Sequence, residues 1–269
     1  MNAVRHSAIA VLRASEPRDK VTAAFALRDN LDSALFSFAS STTIPTRPAR
    51  PAKPVLVEPG DLARRRLGTP AGRGALLHAV AHIEFNAIDM AADMVARFAD
   101  HDLIADQDRT AFILDWSGVC HDEARHFGLM CDRMADLGIT YGDLPAHDGL
   151  WQAAEATRDD IAARLAIAPM VLEARGLDVT PGMITKLKSV GDHESAKVLQ
   201  IIYDDEIGHV AAGRKWFEYI CMRQGLEVVP TFHKKVRKYF AGLLKPPFNE
   251  QARDLAGMKK ELYMPLAAD

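Results

Sequence analysis

From residue 74 onward, apolar and polar positions recur with a helical rather than a strand period, in a segment rich in alanine and leucine with few β-branched runs. The pattern predicts four long helices, over about 74–99, 106–138, 149–175 and 192–225. A shorter helix is expected over 181–190, because Thr180-Pro181 offers an N-cap followed by proline at the first helical position. Gly138, Gly176 and Gly225 are the expected C-terminal stops. Helices of this length, joined by short turns, point to a bundle.

The flanking regions read differently. Residues 41–60 are dense in proline, which fixes φ and removes a hydrogen-bond donor, so an extended connector is expected. The chain then divides into an N-terminal helical segment (1–40, with its helix around 20–38), a proline-rich connector (41–73), the bundle (74–228) and a C-terminal tail (229–269) packing on it. Within the tail, a basic helix is expected over 234–244, followed by Lys245-Pro246-Pro247-Phe248 in extended form.

Composition changes little in this picture. Lys plus Arg total 33 against 36 for Asp plus Glu, so no global charge draws the chain to nucleic acid or an anionic membrane. Three cysteines without a C-x-x-C pair argue against a disulfide scaffold or a cysteine zinc site. The N-terminus lacks the sustained apolar core of a signal peptide, no apolar run is long enough to span a bilayer, and the cytoplasm is the expected compartment.

Candidate chemistry lies in a repeated motif. Residues 122–126 read Asp-Glu-Ala-Arg-His and residues 205–209 read Asp-Glu-Ile-Gly-His. Three-residue spacing puts Glu123 with His126, and Glu206 with His209, on one face of their helices. One Glu-x-x-His arises easily by chance, whereas two copies on separate helices form a pattern. A di-metal bundle needs one further carboxylate from each remaining helix. Glu84 is the sole glutamate between Gly74 and Asp122, and Glu173 follows the apolar Pro169 and Met170 where core is expected. Glu84 and Glu123 are 39 positions apart, and Glu173 and Glu206 are 33 apart, so the ligands fit two related helical hairpins.

Four carboxylates balance two divalent ions, and oxygen-rich ligation with two imidazoles and no thiolate suits two irons or an iron–manganese pair. Glu123 and Glu206 are the expected bridges, Glu84 and Glu173 the terminal carboxylates, with one histidine per metal. Asp122 and Asp205 are expected to accept the outer N–H of a ligating histidine, the competing reading being surface acids paired with arginine. Tyr203 is a candidate hydrogen-bond donor or radical site beside them, against the blander reading of a structural tyrosine.

These residues resemble the ferritin-like di-iron carboxylate superfamily. His-Ile-Glu-Phe-Asn-Ala-Ile-Asp (82–89), Asp-Glu-Ala-Arg-His-Phe (122–127), the run from Leu172 to Met183, Tyr-Asp-Asp-Glu-Ile-Gly-His-Val (203–210) and Lys-Pro-Pro-Phe-Asn (245–249) narrow the likeness. Together they resemble a bacterial ferritin-like family known as domain of unknown function 455. The resemblance implies an all-α, ferritin-like four-helix bundle with a di-iron site, and brings no substrate with it.

Around the ligands, Trp116, Val119, Cys120, Phe127 and Met130 on the second helix are expected to face the metals. Ile202, Tyr203, Val210 and Gly213 on the fourth, and Ala81, Ala87 and Ile88 on the first, are expected to do the same. They form either a dry wall beside a substrate cavity or simply well-packed core. Cys120 reads as a small buried hydrophobe. His82 lies about 200° around its helix from Glu84, so His78 and His82 read as polar contacts, not ligands, and His121 and His193 as surface groups. Pro169 is expected to kink or break the third helix.

The leading expectation is an oxidase or monooxygenase acting with dioxygen on a small organic substrate. No flavin, nicotinamide or rubredoxin-type motif is present, so electrons would come from an external donor. The alternative is a ferroxidase or iron-storage protein with no organic substrate, and a scaffold that merely retains metal is a further option. A tRNA-modifying hydroxylase ranks lower, with Arg64-Arg65-Arg66 and Lys234, Lys235, Arg237 and Lys238 as its only basic clusters. Membrane association is not expected, and a homodimer is left open.

Overall fold

The computed structural model describes residues 4–29, 31, 43–61 and 67–268. Arg64 to Arg66 and the stretch 32–38 of the expected N-terminal helix lie outside the described residues. Among the described residues the protein is all-helical, with two isolated backbone bridges, Leu56 to Ala146 and Leu244 to Ala267. Among the described residues, no helix is long and apolar enough to cross a membrane.

Two N-terminal helices come first, α1 (Val4–Arg13) and α2 (Pro17–Asp29). The apolar stripe of α1, including Ile9, Val11 and Leu12, is buried against α3 (Pro70–Phe98), while α2 packs on α4 (Asp106–Asp136). Helix α3 starts earlier than expected. Thr69 accepts the Gly72 N–H and Pro70 occupies the first turn, which satisfies one of the helix's free donors. Helix α4 is followed by Gly138 at φ +71°, and α8 (His193–Gln224) ends at Gly225 at φ +64°, both left-handed positions that suit glycine.

The expected third helix is corrected in three ways. The segment 149–175 is broken into α5 (Gly149–Ala156) and α6 (Ile161–Ile167). Asp160 caps α6 by accepting the Ala163 N–H, so the polar run Arg158-Asp159-Asp160 marks the break. Pro169 does not end the helix either: α6 runs through one π-helical segment, Ala168–Glu173, into α7 (Ala174–Ser189). Gly176 and the expected start at Pro181 therefore both fall inside α7.

Proline at 181 removes the N–H that would bond Leu177 O one turn back. Asn249 of the C-terminal tail donates to that carbonyl at 3.1 Å, and the helix continues. The basic tail helix is α9 (Val228–Tyr239), anchored where Phe232 meets Phe217, their rings 5.8 Å apart. After it come α10 (Glu250–Leu255) and α11 (Lys260–Tyr263). Arg253 pins this end to α7: it is buried, donates to both oxygens of Asp178, and lies over the rings of Phe248 and Tyr263.

Helices α3 and α4 form one hairpin and α7 and α8 a second, and the two meet along α4 and α8. The π-helical segment packs on α8, where a Cβ at Gly213 would lie 2.3 Å from Pro169 Cγ. Only glycine allows that approach.

Candidate metal centre

The hairpin pairing brings all six predicted ligands into one cage. Two groups of donor atoms lie within 4.8 Å of one another: Glu84, Glu123, His126 and Glu206, and Glu173, Glu206 and His209. Glu206 belongs to both groups. Glu123 lies between the imidazoles, 3.7 Å from His126 Nδ1 and 3.0 Å from His209 Nδ1. Glu84 approaches His126 Nδ1 at 3.2 Å. The spacing of three within each Glu-x-x-His motif accounts for this convergence, since each pair shares one helix face.

The outer nitrogens of the imidazoles point to the two aspartates, crosswise. Asp205, from the α8 motif, lies 3.0 Å from Nε2 of His126 on α4, and Asp122, from α4, lies 3.5 Å from Nε2 of His209 on α8. Asp205 therefore holds His126 by a hydrogen bond, while Asp122 only stands near His209. Arg125 also donates to Asp205, a partner the sequence reading did not single out. Tyr203 is half-buried, and its hydroxyl accepts a hydrogen bond from Asn249 at 2.9 Å.

Several buried polar atoms of the cage have no hydrogen-bond partner: both oxygens of Glu123, one oxygen each of Glu173 and Glu206, and both ring nitrogens of His209. The contacts of His209 are close in distance but lack hydrogen-bond geometry. Buried, unpartnered carboxylates are costly without a counter-charge. Without a cation, protons supply it. Burial, reinforced by the Glu123 charge, raises the Glu84 carboxyl well above its ordinary range. Burial and the Glu206 charge do the same to Glu173, and burial with the Glu123 charge raises Glu206. Glu123 moves the other way: burial opposes its charge, yet the two imidazoles hold it below the usual carboxylate range. Against their own burial, His126 is pushed up to about 11 by Glu123 and Glu84, and His209 is raised by Asp122, Glu123 and Glu206. Such a donor set fits divalent metal, whose charge would replace those protons.

The surroundings expected to line the metal face are buried, with Trp116, Val119, Cys120, Phe127, Ile202 and Val210 each at most 5% exposed. Cys120 donates to Ile88 O at 3.6 Å, and burial pushes its thiol up, as suits a small buried group. His78 and His82 lie on the far side of α3, beside a cleft of about 150 Å³ that none of the cage residues lines. His82 Nε2 is 3.1 Å from His147 O, so it carries the hydrogen, and Nδ1 at 2.9 Å accepts from the Tyr141 hydroxyl. Burial, with the Arg50 charge, brings its pKa down to about 4. His78 accepts the Gly142 N–H. These histidines hold the loop after α4 as neutral groups. His193 is exposed, and His121 is half-buried against Phe25. In the basic tail helix, Lys235 pairs with Asp160 and Lys238 lies over Tyr239.

The chain belongs to the family described as "Protein of unknown function (DUF455)", which matches residues 13–264. It is 41% identical over 204 residues to an "Uncharacterized protein" of Haemophilus influenzae, covering 76% of this chain and 71% of that protein. No solved structure matches.

Proposed function

We propose that this is a ferritin-like di-iron protein that uses dioxygen to oxidise a small organic substrate. The observation that carries the reading is the cage of four glutamates and two histidines, contributed by α3, α4, α8 and the π-helical segment, with buried oxygens that nothing among the described residues satisfies. In this reading α3, α4, the α6–α7 column and α8 are the four helices of the bundle. Glu84, Glu123, His126 and Glu206 would hold one metal, and Glu173, Glu206 and His209 the other. An iron pair would supply dioxygen chemistry that no side chain offers. The chain's own part is to set the donors, with Asp205 and Asp122 orienting the imidazoles. The apolar wall around Trp116 and Phe127 would keep water away. Electrons would come from an external donor.

The test is metal content of protein purified without chelators, followed by anaerobic ferrous loading and stopped-flow absorbance on mixing with dioxygen. About two irons per chain and a transient absorption band on mixing are expected. Iron bound with no response to oxygen would move the function to retention or storage. Glu123→Ala or His209→Ala should lose at least one metal, and retention of both metals in either variant would break the assignment.

A further inference from the structure

The two halves of the cage differ in number of donors, in exposure and in support. The Glu84 half has four converging donors, the Glu173 half three. Glu84, Glu123 and His126 are 3%, 0% and 0% exposed, whereas Glu173 is partly exposed, and Glu206 serves both halves. His126 is fixed at both ring nitrogens, by Glu84 and by Asp205, and Asp205 is itself held by Arg125. Arg125 also pairs with Asp122, the aspartate behind the other histidine, at the longer distance of 3.9 Å. The residue matching Arg125 in the second motif is Gly208, with nothing within 4 Å of where its Cβ would stand. His209 lacks a hydrogen bond at either nitrogen, whereas the unpartnered buried oxygens are spread over both halves, on Glu123, Glu173 and the shared Glu206.

We infer that the four-donor position, at Glu84, Glu123, His126 and Glu206, fills first and holds its ion, while the position at Glu173, Glu206 and His209 fills second and is where a small external anion coordinates. The inference rests on the two-metal reading above. Donors already held in place cost less ordering when an ion binds. A position with three protein donors leaves coordination sites for an outside ligand, as in open metal sites generally. The partial exposure of Glu173 lies on that same half.

The experiment is an anaerobic titration of the full-length protein with cobalt(II), followed by visible absorbance, with sodium azide added at one and at two equivalents. Two steps with dissociation constants at least tenfold apart are expected, and azide should shift the spectrum only after the second. Glu173→Gln should lose the second step and the azide response while keeping the first; Glu84→Gln should weaken the first. Uptake of two ions in one step, or an azide response at one equivalent that survives Glu173→Gln, overturns the inference and leaves the two-metal reading standing. No uptake of cobalt overturns both.

Discussion

Helix α3 buries carboxylates in two directions, and the protein treats them in opposite ways. Asp89 and Asp93 are fully buried, as is nearly all of Glu84. Asp89 accepts from Lys20 of α2 and from Arg50 of the proline-rich connector, and the Lys20 ammonium also reaches Val11 O. Arg50 further donates to Asn86, which donates to His82 O. Asp93 accepts from Arg97 and from Arg164 of α6, and Arg164 also bonds Thr157. On that side each acid has two cations of the chain itself. On the cage side, the ion pairs of the four glutamates among the described residues are with His126 and His209 and with no lysine or arginine. A carboxylate met by built-in cations fastens segments together, and here it clasps the N-terminal helices, the connector and α6 to α3. A carboxylate left with only imidazoles and other carboxylates is shaped for an ion from outside.

Asp89→Ala is the most severe way to break this comparison. It leaves Lys20 and Arg50 without their acid, and a loss of about 3–5 kcal/mol in denaturant unfolding is expected. A loss below about 1 kcal/mol would remove the distinction between the two sides. His82 adds a third, uncharged treatment of a buried group. Its pKa falls from 6.5 to about 4, so its stabilisation is present above pH 6.5 and is lost as pH falls through 4. Between pH 7 and 4 the wild type should lose roughly 3 kcal/mol more than His82→Asn, read as the difference of their unfolding free energies. Equal pH slopes would mean that His82 is not held neutral.

Metal should act on the cage alone. Ferrous ion, added anaerobically at a hundred times its dissociation constant, should raise unfolding stability by about 2.7 kcal/mol per site, reversed by chelation. The Asp89→Ala variant should keep that increment, because its lost contact lies elsewhere. The smallest expected effect is Glu84→Gln in chelated protein. Burial raises the Glu84 carboxyl well above its ordinary range and so disfavours its charge, and an amide of the same shape should change stability by less than about 1 kcal/mol. A loss comparable to that of Asp89→Ala would show that Glu84 is a structural ion-pair partner after all.

Much of the cage was legible in the sequence because helix periodicity is local. The two Glu-x-x-His motifs and the isolated acids Glu84 and Glu173 needed only helical spacing to be placed on inward faces, and all six meet. The pairs of Asp89 and the Asp93–Arg164 pair were not legible, unlike the local Asp93–Arg97 pair four residues apart. Their partners Lys20, Arg50 and Arg164 lie 69, 39 and 71 positions away, and nothing local marks a lysine in an amphipathic helix as buried. Arg125 escaped for a related reason: its role is set by Asp205, 80 residues on. The crosswise pairing of each aspartate with the other motif's histidine likewise depends on how α4 meets α8.

The same dipeptide shows where the sequence stops deciding. Thr69-Pro70 begins α3, with Thr69 as cap. Thr180-Pro181 lies inside α7. Proline ends a helix chiefly because it leaves a carbonyl unpaired and crowds the turn before it, and whether that carbonyl finds another donor is not a local property. At Leu177 the donor is Asn249, brought there by a tail that Arg253 fastens to Asp178. By itself, then, the sequence determined which residues share a helix face, and so which donors could converge. Tertiary structure decided which helix runs on, which acid receives a cation, and which is left without one, because each of those outcomes depends on a partner supplied from elsewhere in the chain.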